Sequence, residues 1–404
     1  MRISGMRLFL LSFLLIAAPL RAQTVTPADY AADATSIEAL VNADYAYLDR
    51  FPGGKMPMTA KLRAEAAAVR DDKQLIRYAE RALTLLADHH AITGSSLPDS
   101  WAVFPTYADL WVEKRGGLFV ITAVRDGSPA LRAGIQAGDI LHAVDGVPTA
   151  AAVQSFWADL GSEGGGESDA FAARILAAGK RNRERRLTVG NALARPRELA
   201  LPNMYFLALV DRPVLQFDQS GPSFVIKFND SLGYDATIAA FDNAMARARP
   251  GQRIVLDLTD TPSGGNTTIA RAILGWFVTK PTFYQIHNLP AEERQSGVPR
   301  QWIEQVLPRA GKHHSGPVTV RVGRWTGSMG EGIAIGFDAI GARVEGSRMA
   351  GLLGAIYDHK LEKSGKVIKF PTERLYAVDG TPREKFVPEA PARQAYSTCG
   401  AGCG

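Results

Sequence analysis

Short apolar runs alternate with helical patterns between residues 205 and 390, and this alternation constrains the fold more than any other feature. Three runs have the length and β-branched character of strands: Phe224–Phe228, Ile254–Leu258 and Val318–Val322. Helical periodicity follows the first run at 234–248 and the second at 268–277. Because strands that alternate with helices form sheets covered by helices, the pattern predicts an α/β domain at 205–390.

A serine flanked by glycines follows the third of these strands. Ser328 lies in the segment WTGSMGE (Trp325–Glu331), and the apolar run Ile333–Phe337 comes directly after it. Small neighbours suit a sharp strand-to-helix turn that leaves a hydroxyl exposed, and the helix start directs free N–H groups at whatever that hydroxyl attacks. The segment therefore predicts a nucleophile turn, with an ordinary turn as the alternative.

The first half of the chain has a different organisation. Apolar residues recur at helical spacing from Pro27 to Ala91, which predicts a helical module at 23–104. Strand-like runs such as Leu118–Val124 then dominate 105–204, so this part is expected to be mostly β. Within it, the segment 151–179 with its glycine cluster indicates a flexible insertion.

The run SPALRAGIQAGDILHAVDGVP (Ser128–Pro148) closely resembles the signature of PDZ domains. In that comparison Gly116, Gly117, Leu118 and Phe119 occupy the position of the loop that binds a peptide's terminal carboxylate. The resemblance implies that these N–H groups bind the C termini of polypeptides, while the strand edge that follows accepts the peptide as an extra strand. A spacer role for the domain is the alternative.

The run Val255–Asn266 resembles the DLRxNxGG strand and loop of the C-terminal processing peptidase and tricorn protease family of tail-specific serine proteases. The serine turn resembles that family's nucleophile turn, and the order of the three domains is the same. The resemblance implies a ClpP/crotonase-like α/β core with Ser328 as nucleophile. It also implies an oxyanion hole formed by the N–H of Met329 and that of Gly264 or Gly265, with no metal and no organic cofactor.

The catalytic base distinguishes two branches of this family. Leu352 or Leu353 stands where the processing branch has a lysine, so a serine–lysine pair would need Lys360 or Lys363 instead. The tricorn-like branch has a histidine after the N-terminal helices, which corresponds to His90 in Asp88-His89-His90-Ala91. His89 is the alternative if the loop is shifted by one residue, and His313 and His314 have no motif to support them.

A glutamate completes the set that this branch implies. Glu384, in the segment Asp379–Glu389, matches the residue that orients the histidine, and the imidazole predicts an apparent pKa of about 6 to 7 in the pH profile. Two residues depart from the family pattern, since Thr259 replaces an arginine and Thr261 stands near an asparagine position. We therefore expect an active serine-type peptidase, and the alternative is a catalytically silent relative that binds peptides or acts as a scaffold.

The N-terminal residues predict export. Arg2 and Arg7 precede the apolar stretch Leu8–Ala18, and cleavage after Ala22 would leave residues 1–22 as a signal peptide. An apolar core of about eleven residues is shorter than the roughly 20 that span a bilayer. We expect a periplasmic mature protein without a membrane span, and an uncleaved anchor is the alternative.

Charge and cysteine content exclude some other functions. The net charge is only +5, and the densest basic run, Lys180–Arg186, contains no aromatic residues, so no nucleic-acid partner is expected. Cys399 and Cys403 lie in the tail 391–404, where they either pair as a disulfide or have no role, and two thiols without a histidine make a poor metal site. The natural substrate and the oligomeric state do not follow from these patterns.

Overall fold

The structure is a computed structural model that describes residues 25–191, 194–207 and 212–390. The predicted signal peptide and both cysteines lie outside these residues. The helices are α1 (Pro27–Asp44), α2 (Ala60–Ala68), α3 (Asp72–Thr84), α4 (Pro129–Arg132), α5 (Thr149–Asp159), α6 (Glu167–Ala178), α7 (Met204–Leu207), α8 (Ala236–Met245), α9 (Thr267–Leu274), α10 (Pro290–Ser296) and α11 (Met329–Ala339).

The strands fall into three sheets. They are β1 (Ile92–Thr93), β2 (Leu110–Arg115), β3 (Leu118–Val124), β4 (Ile140–Val144), β5 (Val147–Pro148), β6 (Arg185–Asn191), β7 (Ala194–Leu201), β8 (Leu215–Asp218), β9 (Phe224–Phe228), β10 (Ile254–Asp257), β11 (Thr282–Asn288), β12 (Gln301–Val306), β13 (Val318–Val322), β14 (Arg343–Gly346), β15 (Ala355–Lys360) and β16 (Val367–Tyr376). The strand-like runs of the sequence therefore form strands within one residue of their expected bounds.

The N-terminal module consists of α1, α2 and α3, as the periodicity predicts. Thr26 and Asp29 form a capping box at the start of α1, and α3 buries its apolar face against the rest of the module. After α3 the chain makes a turn at 88–91 and then pairs β1 with β16, Ile92 opposite Lys369. The turn that contains His90 is therefore held between the helices and the C-terminal part of the chain.

The middle domain is a sheet in the order β2-β3-β4-β6-β7, with β5 beside β4. The expected flexible insertion at 151–179 is wrong, because most of α5 and all of α6 form there. One glycine of the cluster serves close packing instead: a Cβ on Gly164 would lie 2.3 Å from the ring of Trp157. Glycine is required at that position because the loop passes over the indole.

The α/β core contains the sheet β14-β13-β10-β9-β8, in which β9, β10, β13 and β14 are parallel. The loops that follow β10 and β13 leave the same edge of this sheet, as parallel neighbours must. The second sheet has the order β1-β16-β11-β12, with β15 beside β16. Since α11 contacts both β11 and β14, this helix lies between the two sheets.

Within the described residues, no helix is both long enough and apolar enough to cross a membrane.

Candidate active site

Ser328 occupies the sharp turn that the sequence predicts, directly before α11. Its φ of 50° lies in the left-handed region, which is unusual for a residue other than glycine and is typical of a strained turn with a functional side chain. Its neighbours have to be small: a Cβ on Gly327 would lie 2.7 Å from the Pro262 carbonyl oxygen, and one on Gly330 would lie 2.6 Å from Thr261 Oγ1.

The glycine loop after β10 packs directly against this serine. A Cβ on Gly264 would lie 2.4 Å from Ser328 Cβ and 2.9 Å from both Ser328 Oγ and the Met329 nitrogen. Gly265 backs onto Leu232, where a Cβ would lie only 1.8 Å from the carbonyl oxygen. Both glycines are therefore sterically required, and the loop brings its main chain beside the hydroxyl.

Two N–H groups of the expected oxyanion hole, those of Met329 and Gly265, have no acceptor among the described residues. Met329 is the first residue of α11, where the N–H groups have no intrahelical acceptor. The N–H of Gly264 donates to the Thr261 carbonyl over 3.3 Å, whereas no acceptor for the N–H of Gly265 is found in the described part of the chain. Of the two glycines left open by the sequence, Gly265 has the uncommitted N–H.

Thr261, one of the departures from the family pattern, joins the glycine loop to the serine turn. Its N–H donates to the Trp325 carbonyl at 2.9 Å, and its carbonyl accepts from the N–H of Gly327 at 3.2 Å. Thr259, the other departure, binds the Asp257 carboxylate through its hydroxyl and its N–H. Both threonines therefore support the loop beside Ser328 through hydrogen bonds.

Glu331, three residues after Ser328, lies fully buried beneath the turn. Its carboxylate accepts the N–H groups of Ser328 at 2.9 Å, Gly351 at 2.8 Å and Leu352 at 3.2 Å. Burial raises the pKa of Glu331 to about 7, although the charge of Arg383 and these three donors oppose the shift. The carboxylate thus ties the serine turn to the segment 351–352.

The next residue of that segment holds His90. The Nδ1 atom of His90 lies 2.6 Å from the Leu353 carbonyl oxygen, and because a carbonyl only accepts, Nδ1 carries the proton. The other ring nitrogen, Nε2, is then the basic one in the neutral ring. Burial lowers the pKa of His90 to about 4, so the imidazole is neutral over the whole physiological range.

Asp88 fixes the turn on which His90 lies. One carboxylate oxygen accepts the N–H of His90 and the other accepts the hydroxyl of Tyr45, both at 2.9 Å. Arg50 in turn donates to the Tyr45 hydroxyl at 2.9 Å. This network connects the turn to the first helices, and burial raises the pKa of Asp88 to about 6.

Glu384 lies near this network but does not orient the imidazole in the way that the sequence suggested. Its Oε2 atom is buried without a hydrogen-bond partner, and Nδ1 of His90 is taken by the Leu353 carbonyl. The charge of Glu384 acts on Asp88 and Tyr47, raising the pKa of each. Among the described residues no hydrogen bond joins Ser328 to His90. The structure therefore brings Ser328, His90 and Glu384 towards the segment 351–354 without hydrogen bonds between their side chains.

The alternative bases lie elsewhere. His89 is packed between the rings of Phe104 and Phe171, with centroid distances of 4.3 and 4.4 Å. No described contact joins the serine turn to His313 or to His314, whose Nε2 lies 2.8 Å from the Gln252 carbonyl oxygen. Lys360 belongs to the end of β15, and Lys363 pairs with Glu362.

Comparison with known proteins identifies the PDZ domain and shows which solved structures share the overall fold. A family model for the PDZ domain matches residues 120–156. The structure is similar to that of a photosystem II D1 C-terminal processing protease, with a TM-score of 0.55, 16% identity and coverage of 89% of this chain and 92% of that chain. The chain has the fold of the C-terminal processing proteases.

A second solved structure has the same fold. Mature CPAF complexed with lactacystin gives a TM-score of 0.55 at 13% identity, covering 90% of this chain and 93% of that chain. The tricorn protease gives a TM-score of only 0.33 and covers 77% of this chain and 29% of that chain, which is too low to assign a branch. No curated protein matches the chain in sequence.

The PDZ domain of this C-terminal processing protease fold differs in detail from the sequence-based expectation. Gly116 and Gly117, both with positive φ, form the two-residue turn of the β2–β3 hairpin, and Leu118 lies opposite Arg115 in the paired strands. The strand after this turn, β3, pairs with β2 along its length and with β4 only where Val120 lies opposite Ile140. The sheet ends on this side at β2, so β2 is an edge strand that lies beside the expected one.

An arginine from α6 already occupies this edge. Nε of Arg174 donates to the Val112 carbonyl at 2.9 Å, and the guanidinium lies 4.8 Å from the ring centroid of Trp111. Burial lowers the pKa of Arg174 to about 10. A peptide that adds a strand to β2 would therefore have to replace the contact that Arg174 makes.

The PDZ domain also contacts both halves of the serine site. The indole N–H of Trp325 donates to the Ala108 carbonyl at 2.8 Å, next to the nucleophile turn. Arg125, only 8% exposed, donates to the Asp260 carboxylate at 3.0 and 2.5 Å, within the glycine loop. The domain is thus bound to the catalytic core at the site itself.

Sequence reasoning missed three residues that this geometry makes important: Glu331, Arg383 and Arg174. Glu331 was detectable, because Ser328 and Glu331 have the spacing of a capping box. The buried Arg383 donates to the carbonyls of Leu352 and Gly354, and no local pattern indicates such contacts. The same is true of Arg174, since its acceptor lies 62 residues away.

Proposed function

We propose that this protein is an exported serine-type peptidase that cleaves polypeptides through an acyl-enzyme at Ser328, with His90 as base. The single observation that carries the proposal is the arrangement of Ser328 at positive φ on the start of α11, with Gly264 packed against its hydroxyl. A helix start and a glycine main chain on either side of one hydroxyl are the elements of an acyl-transfer site.

The chemistry follows from the positions of the groups. Ser328 Oγ attacks the peptide carbonyl and its proton passes to Nε2 of His90. The negative oxygen of the tetrahedral intermediate accepts from the N–H groups of Met329 and Gly265. His90 then donates its proton to the leaving amine, and a water molecule, activated by the same nitrogen, hydrolyses the acyl-enzyme. Because His90 and Ser328 are not hydrogen-bonded in this structure, substrate binding has to bring the two sides together.

A cleft next to the segment 352–353 supports the substrate class, and neither Ser328 nor His90 is among the residues that line it. This cleft of about 1340 Å³ is bordered by Leu352 and Leu353 on one side and by Lys114, Gly116 and Gly117 of the PDZ domain on the other. It contains acidic, basic and apolar side chains, and this mixture suits an extended polypeptide rather than one small ligand. We propose polypeptides bound by their C termini as substrates, which the PDZ domain supports.

An active-site probe tests the enzymatic proposal. A fluorophosphonate should label the folded wild-type protein and fail to label Ser328→Ala, because only an activated serine reacts with it. The second candidate function, a silent peptide-binding relative, is favoured by the missing hydrogen bond between Ser328 and His90. Folded protein that binds peptides but is never labelled would support that candidate and refute the first.

Export to the periplasm is part of the same proposal and rests on the N-terminal sequence. Arg2 and Arg7 before the apolar stretch Leu8–Ala18 favour a cleaved signal peptide. N-terminal sequencing of periplasmic material should read Gln23 first. Mature protein that begins at Met1 would show that the segment is retained.

A further inference from the structure

Arg383 is buried between the serine side and the histidine side of the site. Only 2% of this residue is exposed, and its Nη2 donates to the carbonyl oxygens of Leu352 at 3.0 Å and Gly354 at 2.7 Å. One nitrogen therefore holds two carbonyls that are two residues apart. The carbonyl between them, that of Leu353, points to a different partner.

That partner is the imidazole of His90, whose Nδ1 lies 2.6 Å from the Leu353 oxygen. If the carbonyls of Leu352 and Gly354 were released, the segment could rotate and the Leu353 oxygen could leave the ring. The neutral imidazole would then be free to carry its proton on Nε2, and in that tautomer Nε2 cannot accept the proton of Ser328.

The charge of Arg383 acts in the same direction as its hydrogen bonds. It lowers the pKa of Glu331, which favours the ionised carboxylate that accepts the Ser328 N–H, and it lowers the pKa of His90, which favours the neutral base. The other groups facing His90 are the carbonyls of Leu353 and Gly354 and the carboxylate of Asp88.

We propose that Arg383 is a positioning residue for the catalytic base. It holds the main chain at 352–354 so that the Leu353 carbonyl keeps the His90 ring in the tautomer protonated at Nδ1, with Nε2 free to take the proton of Ser328. A main-chain carbonyl thereby fills the place that a carboxylate has in a serine–histidine–acid triad. This inference rests on the proposed function of His90 as base.

The tautomer can be read without substrate or activity. In the full mature protein labelled with ¹⁵N-histidine, long-range nitrogen–carbon-proton correlation spectra report the protonated nitrogen of each imidazole, and His90→Gln identifies the signal of His90. The wild-type signal should show Nδ1 protonated. In Arg383→Met, which keeps the length but removes both donors and the charge, the signal should shift towards the Nε2-protonated form.

The kinetic readout separates positioning from general damage. Arg383→Met should lower kcat by about ten- to a hundredfold with KM changed by less than about threefold, since a positioned base contributes about 10² to 10⁴. Arg383→Lys keeps a charge and a donor and should lose less. Arg294→Met is the matched control, because Arg294 also donates from Nη2 to two carbonyls two residues apart, those of Ala43 and Tyr45.

Arg294→Met should leave the His90 tautomer and kcat near the wild-type values. The inference is overturned if Arg383→Met keeps Nδ1 protonated, or if its kcat falls no more than that of Arg294→Met. If Arg383→Met does not fold, the wild-type spectrum decides, because a His90 signal protonated at Nε2 in the wild type refutes the role. Should wild-type protein never react with a fluorophosphonate, the peptidase proposal fails, while the tautomer spectra still decide the role of Arg383.

Discussion

The two sides of the candidate site are built in different ways. Ser328, Met329 and Gly264 come from two loops that leave neighbouring parallel strands, and their contacts are fixed by glycines and by the start of a helix. His90 comes from the far end of the chain and is held by the carbonyl of Leu353, a residue 263 positions away. The serine side is local and sterically rigid, whereas the histidine side depends on packing between domains. Substitutions on the serine side and on the histidine side should therefore lower activity in different ways.

The largest effect is expected from loss of the base. His90→Gln should lower kcat by about 10²- to 10⁴-fold, because the amide cannot take the proton of Ser328. The variant should still fold and bind peptides, and stopped-flow or steady-state assays with a peptide substrate measure the loss. His314→Gln is the control, since His314 lies in the same domain as the serine but contacts Gln252 instead. Near-full activity in His90→Gln would transfer the role of base to another group.

Steric damage to the serine side should come next. Gly264→Ala places a methyl group 2.4 Å from Ser328 Cβ, so the glycine loop must move and the oxyanion site opens. Loss of an oxyanion donor lowers kcat by about 10²- to 10³-fold, and this variant should lose a similar amount.

Gly251→Ala is the matched control for this change. Gly251 has a φ of +72°, close to the +66° of Gly264, but a Cβ there meets nothing within 4 Å. Both variants carry the same kind of backbone strain, which is measured by thermal unfolding, and only Gly264→Ala should lose peptidase activity. Equal loss in both would mean that strain alone, and not the close approach to Ser328, explains the effect.

The pH profile distinguishes the buried histidine from an exposed one. Because burial lowers the pKa of His90 from 6.5 to about 4, the neutral base persists in acid, and the acid limb of kcat/KM should lie well below pH 6. This expectation differs from the apparent pKa of 6 to 7 that the sequence alone predicts, and the measured profile decides between them. The profile is measured from pH 4 to 8. A limb between pH 6 and 7 would contradict a buried, neutral base and would instead report a solvated ring or the titration of Asp88 or Glu331, whose pKa values burial raises to about 6 and about 7.

The lowered pKa of His90 also makes the free energy of unfolding depend on pH. Between about pH 4 and 6.5 the unfolded chain binds a proton at His90 that the folded protein does not, so stability falls as the pH is lowered through this window. Above pH 6.5 neither state binds this proton, so the free energy of unfolding is not reduced by His90. Thermal unfolding of the wild type and of His90→Gln should therefore converge as the pH decreases, and parallel curves would contradict the buried, neutral state of the ring.

The smallest effect concerns the PDZ domain. Removing Arg174 frees the Val112 carbonyl on β2, and one hydrogen bond contributes about 0.5 to 1.5 kcal/mol. A peptide with a free C terminus should bind Arg174→Ala about two- to tenfold more tightly than wild type by calorimetry. Arg183→Ala removes the same charge from an exposed ion pair with Asp145 and should change nothing. Weaker binding to Arg174→Ala would instead assign Arg174 to the peptide site.

Individual residues show how far sequence reasoning reached. The strands at 224, 254 and 318 and the turn at Ser328 were predictable, because period, β-branching and glycine spacing are local properties. Gly164 was misread as part of a flexible insertion, since the sequence does not show that its neighbour in space is Trp157. Glu384 was given an orienting role by analogy, but the Leu353 carbonyl holds that position, and main-chain acceptors have no identity in a sequence.

The sequence by itself determined which residue types stand at sharp turns, helix starts and strand interiors, because those preferences arise from the backbone within a few residues. It therefore specified the sharp turn at Ser328, the glycine loop and the layered α/β core. Only the tertiary structure decided which nitrogen of His90 carries a proton, which strand of the PDZ domain is its edge, and that Arg383 lies between the two sides of the site. Those properties depend on groups brought together from distant parts of the chain, and on burial, which changes proton affinity without changing any residue.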